Sequence, residues 1–127
     1  MQLNPVIENR TINSREFLYF IFKGRLTQQD AENAVIDWKK ALEGARNMLP
    51  HVWNCTEMTG YEPMARIIWQ KAIKELKGKI SKIWLISDSS LIIAGAKILS
   101  LFTSFDISTV RSENDITENN TKLTNPI

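Results

Sequence analysis

The stretch that most constrains this chain is Val52–Trp69, VWNCTEMTGYEPMARIIW, which packs the signals of a strand, a tight loop and a helix start into one short piece. Val52 to Cys55 carries residues that favour extended backbone, Thr59-Gly60-Tyr61 reads as a turn, and Glu62-Pro63 places an acid and a proline where a helix begins. A strand-to-helix corner of this kind belongs to an α/β sheet, and in open sheets the carboxyl ends of strands are where ligands and partners bind.

The flanking segments repeat the alternation. Asn4 to Thr11 reads as a weakly patterned first strand and Phe17 to Lys23, FLYFIFK, as a strong second one covered on at least one face. Asn13-Ser14 supplies the hairpin between them, and Gly24 is expected to end the second strand. Thr27 to Asp30 forms a capping box, followed by an apolar stripe of Ala31, Ala34, Val35, Trp38, Ala41, Leu42 and Ala45. After the corner, Ala65, Ile68, Trp69, Ala72, Ile73 and Leu76 mark the buried face of a helix from Pro63 to about Lys77, which Gly78 should cap. Ile83 to Ile86 reads as an interior parallel strand. Ser89 or Ser90 caps a helix from Leu91 to about Thr103 that has almost no polar face. Phe105 to Val110 is a last strand, and Ser112 to Ile116 a short helical turn. The order β-β-α-β-α-β-α-β predicts an α/β fold, a mixed sheet with helices packed mainly on one side.

At 127 residues the chain suits one domain, read here as 1–116, with a disordered tail at 117–127 that lacks apolar periodicity. Charge is locally uneven: Arg66, Lys71, Lys74, Lys77, Lys79 and Lys82 stand against only Glu62 and Glu75, which makes the second helix a basic, solvated surface. Cys55 is the only cysteine, so an intramolecular disulfide and a cysteine zinc site are both excluded. No apolar run approaches the ~20 residues that span a bilayer, and no signal-peptide pattern opens the chain, so a cytoplasmic protein is expected.

The corner TGYEPMAR, followed by KIWLIS, a serine-rich corner, an apolar helix and FDISTV, resembles the STAS superfamily, named for sulfate transporters and anti-sigma factor antagonists. The narrower resemblance is to bacterial STAS-like proteins with a "TGY-acid-x-x-AR" motif, carried here by Thr59, Gly60, Tyr61, Glu62, Ala65 and Arg66. It implies a non-catalytic module. In the phosphorylated antagonists a serine at this helix start is the switch; the matching residues here are Glu62, Pro63, Met64 and Ala65, and Pro63 has no hydroxyl. Thr56 and Thr59 lie nearby, but a turn or capping role suits them better than phosphorylation.

Other chemistry is poorly supported. His51 and Cys55, four apart, would share a face of one strand, yet no orienting acid or oxyanion site accompanies them. No glycine-rich phosphate loop follows any strand, and the four tryptophans sit at core-type positions rather than on a base-stacking platform, so nucleic acid is not an expected partner. No catalytic, cofactor or metal residues are assigned. The expectation is a regulatory or scaffolding module that binds a protein, or a second copy of itself, through Thr59, Tyr61, Glu62, Met64 and Arg66, the last four as exposed contacts. The apolar helix (Leu91, Ile92, Ile98, Leu99, Phe102) is either core or interface. The alternative is a carrier or sensor of a lipid-like or anionic small molecule.

Overall fold

The structure, a computed structural model, describes residues 3–116. The expected tail at 117–127 lies outside them. The elements are β1 (Val6–Ile12), β2 (Arg15–Leu26), α1 (Gln28–Glu43), β3 (Leu49–Tyr61), α2 (Pro63–Leu76), β4 (Ile80–Ile86), α3 (Ser90–Thr103) and β5 (Ile107–Val110). They form one five-stranded sheet in the order β1-β2-β3-β4-β5. The β1–β2 hairpin is antiparallel and turns through Asn13 and Ser14 at positive φ, while the remaining pairs are parallel. Each parallel crossover steps one strand in the same direction, and right-handed crossovers that all step one way leave their helices on one face. The expected mixed α/β sheet with helices mainly on one side is what forms.

Side-chain alternation sorts two cores. Leu18, Phe20 and Phe22 of β2, Trp53 and Cys55 of β3, and Ile83 and Leu85 of β4 face the helices, where Trp38 and Trp69 meet them. Phe17, Tyr19, Val52, Trp84 and Ile86 face the other way and are covered by Ile116 from a helical turn at 113–116. Tyr19 donates its hydroxyl proton to Glu113 Oε1 at 2.6 Å and accepts from Asn54 Nδ2 at 3.1 Å, which ties that turn to the sheet. Burial and the hydrogen bond to Glu113 push the Tyr19 hydroxyl up to about 12.

Local signals placed the helix starts correctly. Thr27 and Asp30 make the reciprocal capping box, and Ser89 caps α3. Strand ends differ from expectation. Gly24 does not end β2: it sits inside the strand at φ 65°, beside the register shift between Gly24 and Arg25, a bulge that lets pairing resume as Arg25↔Gly60 and Leu26↔Tyr61. Thr59-Gly60-Tyr61 is therefore the end of β3 and not a turn, and Thr56 and Thr59 are strand residues. Gly78 is no left-handed cap either, since α2 passes into a 3₁₀ turn at Lys77–Lys79. The last strand starts at Ile107 rather than Phe105, because Ser104 closes α3 in the left-handed conformation.

Candidate functional site

The corner between β3 and α2 is cross-braced. The Glu62 amide donates to Leu26 O at 2.9 Å, extending the β2–β3 ladder by one bond. The Glu62 carboxylate accepts from the Gln28 amide at 2.6 Å, so it sits on the first exposed N–H of α1, at the positive end of that helix. It makes no cap bond to its own helix. Pro63 holds the first position of α2, where its missing N–H costs nothing. One glutamate thus ties the starts of two helices together, leaving Tyr61 and Glu62 half-buried rather than exposed. Tyr61 lies against α3: a Cβ built on Gly95 would come within 2.8 Å of the Tyr61 hydroxyl and 3.1 Å of two ring carbons.

Of the expected contact residues, Thr59 and Met64 are exposed, and Arg66 is half-buried with its guanidinium donating to Gln70 at 3.4 Å. The residue missed from sequence is Ile67. It lies off the buried stripe of α2, three residues after Met64, and both are 45% exposed. The apolar helix α3 divides between two roles. Ile92 and Leu99 are core, Ile98 is half-buried, and Leu91, Leu101 and Phe102 are exposed at 54%, 80% and 59%. Leu91 also lies over Gly60, at the corner.

Beneath the corner, between α2 and α3, is a cavity of about 50 Å³. Its wall is almost wholly apolar, with Arg66 the one charged residue on it. Cys55 lies at this wall, and burial alone pushes its thiol far above the usual range, away from the nucleophilic form. His51 does not join it in chemistry. Trp38 Nε1 donates to His51 Nε2 at 3.0 Å, which leaves Nδ1 as the donor to Leu49 O at 3.0 Å. Burial lowers His51 to about 4, so it is a neutral core residue.

The basic stretch is also largely committed to structure. Lys77 Nζ donates to Thr103 O at 2.9 Å and Lys79 Nζ to Leu42 O at 3.3 Å, so two lysines cap the carboxyl ends of the neighbouring helices. Lys82 lies 4.6 Å over the Trp84 ring and 4.0 Å from Asp106. Lys71 and Lys74 remain as exposed positions beyond Met64 and Ile67 on α2. Among the described residues no helix is long and apolar enough to cross a membrane, and no group of three or more His, Cys, Asp or Glu is placed to hold a metal ion.

No protein-family model matches this sequence, and no curated protein matches it either. Solved structures do. An uncharacterised protein of the DUF3478 family from Shewanella loihica PV-4, described as having a SpoIIAA-like fold, is similar with a TM-score of 0.76 at 18% identity, over 93% of this chain and 94% of that one. The anti-sigma factor antagonist SpoIIAA in its unphosphorylated form is similar with a TM-score of 0.62 at 14% identity, over 92% and 98%. At these identities the likeness establishes the fold: this chain has the SpoIIAA-like, STAS-type architecture.

Proposed function

We propose that this protein is a non-catalytic regulatory or scaffolding module that binds a protein partner through the corner after β3. The observation that carries this reading is the exposed apolar pair Met64–Ile67 on the first turns of α2, seated on a corner that Glu62 and Pro63 hold rigid. A pre-ordered apolar patch with Arg66 and lysines around it suits partner recognition, since little entropy is lost on docking. The SpoIIAA-like fold supports a regulatory role, because SpoIIAA is an anti-sigma factor antagonist. The STAS resemblance implies a switch serine at the α2 start, and Pro63, which holds that start here, offers no hydroxyl, so the recognition we propose is constitutive.

The test is affinity capture with the tagged protein and with Met64→Asp/Ile67→Asp, using Leu101→Asp on the outer face of α3 as the control. A specific partner held by the wild type and the control but lost by the double variant supports the placement. Equal capture by all three refutes it, and loss only in the control moves the contact, or a homodimer, to α3.

A second reading, carriage or sensing of a small molecule, draws on the apolar wall of the cavity under the same corner, which at about 50 Å³ would have to widen to admit a lipid-like chain. Native mass spectrometry of freshly purified protein separates the two: a retained small molecule supports carriage, and a bare chain speaks against it.

A further inference from the structure

The sheet has two edges, and they are built differently. β5, at one end, has four residues, and a short edge strand offers little template to a passing chain. β1, at the other end, has seven, VIENRTI, with no proline, lysine or glycine. It pairs with β2 in unbroken register from Val6↔Ile21 to Ile12↔Arg15, so no bulge protects it. None of its residues is buried, and among the described residues no other strand lies beyond it.

The hairpin decides which backbone groups face outward. Its two-residue loop, Asn13 and Ser14 at positive φ, closes on Ile12 and Arg15 as a hydrogen-bonded pair. Alternation then turns the backbones of Val6, Glu8, Arg10 and Ile12 towards β2 and leaves the N–H and C=O of Ile7, Asn9 and Thr11 on the open edge. Lys23, further along the same series of β2, obeys this parity: its N–H donates to Asn4 Oδ1 at 3.0 Å and its C=O accepts from Asn4 Nδ2 at 2.8 Å.

The side chains make this edge self-complementary. Glu8 and Arg10 share the sheet face away from the helices, where Arg10 lies 3.9 Å over the Tyr19 ring and 3.2 Å from the Glu8 carboxylate. Laid antiparallel on a second copy about Asn9, the strand sets Glu8 opposite the partner's Arg10, Val6 opposite the partner's Ile12, and Ile7 opposite the partner's Thr11. Each charge then has opposite charges as its nearest neighbours, within its own strand and across the pair. Moving the centre to Glu8 or Arg10 sets like charges face to face, so charge selects one register. On the helix side, a groove of about 500 Å³ beside Asn9, bounded by Glu16, Arg46 and Asn47, leaves room for the partner's side chains.

We infer that β1 is a homodimer edge: two copies of this chain pair β1 with β1, antiparallel and centred on Asn9, and join their sheets into one. This edge is distinct from the corner between β3 and α2, so the inference stands or falls separately from the partner site proposed above.

Sedimentation equilibrium of the full chain should show a dimer with a Kd of about 10–100 μM, weak because the edge is short. Arg10→Glu and Glu8→Arg should each weaken it roughly tenfold, while an equimolar mixture of the two variants, whose edges carry opposite charge, should dimerise as tightly as the wild type. Asn9→Pro loses an N–H that faces outward and serves no bond of the hairpin, so it should abolish the dimer and leave the circular dichroism unchanged. Within β1, dimerisation should slow amide exchange at Ile7, Asn9 and Thr11 alone. A wild type still monomeric at about 500 μM overturns the inference, as does a dimer that folded Asn9→Pro leaves intact. A mixture no tighter than either variant alone overturns the register centred on Asn9. If Asn9→Pro does not fold, the amide pattern decides: slowed exchange confined to other elements overturns the pairing of β1.

Discussion

The Glu62 carboxylate accepts from the backbone amide of Gln28 at 2.6 Å, across 34 residues of sequence, and so fixes the start of α2 against the start of α1. A side chain that would ordinarily serve its own helix is given to its neighbour. The bond is charge-assisted but solvent-exposed, so it is worth about as much as a surface cap. Glu62→Ala should destabilise the protein by about 0.5–1 kcal/mol, and Glu62→Gln, which keeps the acceptor and loses the charge, by about half as much. Urea unfolding of the two variants measures this; equal stability of Glu62→Ala and wild type would show that the brace carries no energy.

His51 makes stability depend on pH. Its folded pKa is lowered to about 4 from 6.5, so between those values the unfolded chain binds a proton that the folded one does not. Stability from this group is therefore fully present above pH 6.5 and declines as pH falls towards 4. Between pH 7 and 5 the loss should be about 2 kcal/mol. His51→Gln removes the titration, and its unfolding free energy should change less over the same interval. A wild-type protein as stable at pH 5 as at pH 7 would contradict the buried neutral imidazole.

Tyr61 and Gly95 form a close pair whose coupling can be measured. A methyl group on residue 95 would meet the Tyr61 hydroxyl at 2.8 Å, so Gly95→Ala should push the ring off α3 and cost roughly 1 kcal/mol despite the better helix propensity of alanine. In a Tyr61→Ala background the same substitution should stabilise by roughly 1 kcal/mol, because only the propensity remains. A substitution with the same effect in both backgrounds would rule out the contact.

What could be read from the sequence follows the range of the interactions concerned. Thr27 with Asp30, and Ser89 before α3, are caps formed within a few residues, and the sequence shows them directly. The element order and the one-sided helices follow from periodicity and crossover handedness. Gly24 and Thr59-Gly60-Tyr61 were misread because their conformation depends on pairing between two strands far apart in sequence, where a bulge restores register. Lys77 and Lys79 read as solvated charges for the same reason: the carbonyls they cap, Thr103 and Leu42, belong to other helices. At the site, Met64 was legible from its position and Ile67 could have been, as an isoleucine off the buried stripe. Nothing local distinguishes Trp38, whose indole donates to His51, from Trp53 and Trp69, whose indole N–H groups meet no acceptor among the described residues.

The central claim, a constitutive protein-binding surface at the corner, is tested most directly by hydrogen exchange on the captured complex. The account predicts slowed exchange of amides in the first turns of α2 and at the end of β3, spanning Thr59 to Ile67, with α3 unchanged. Protection confined to 91–103, with the corner exchanging as in the free protein, would contradict it.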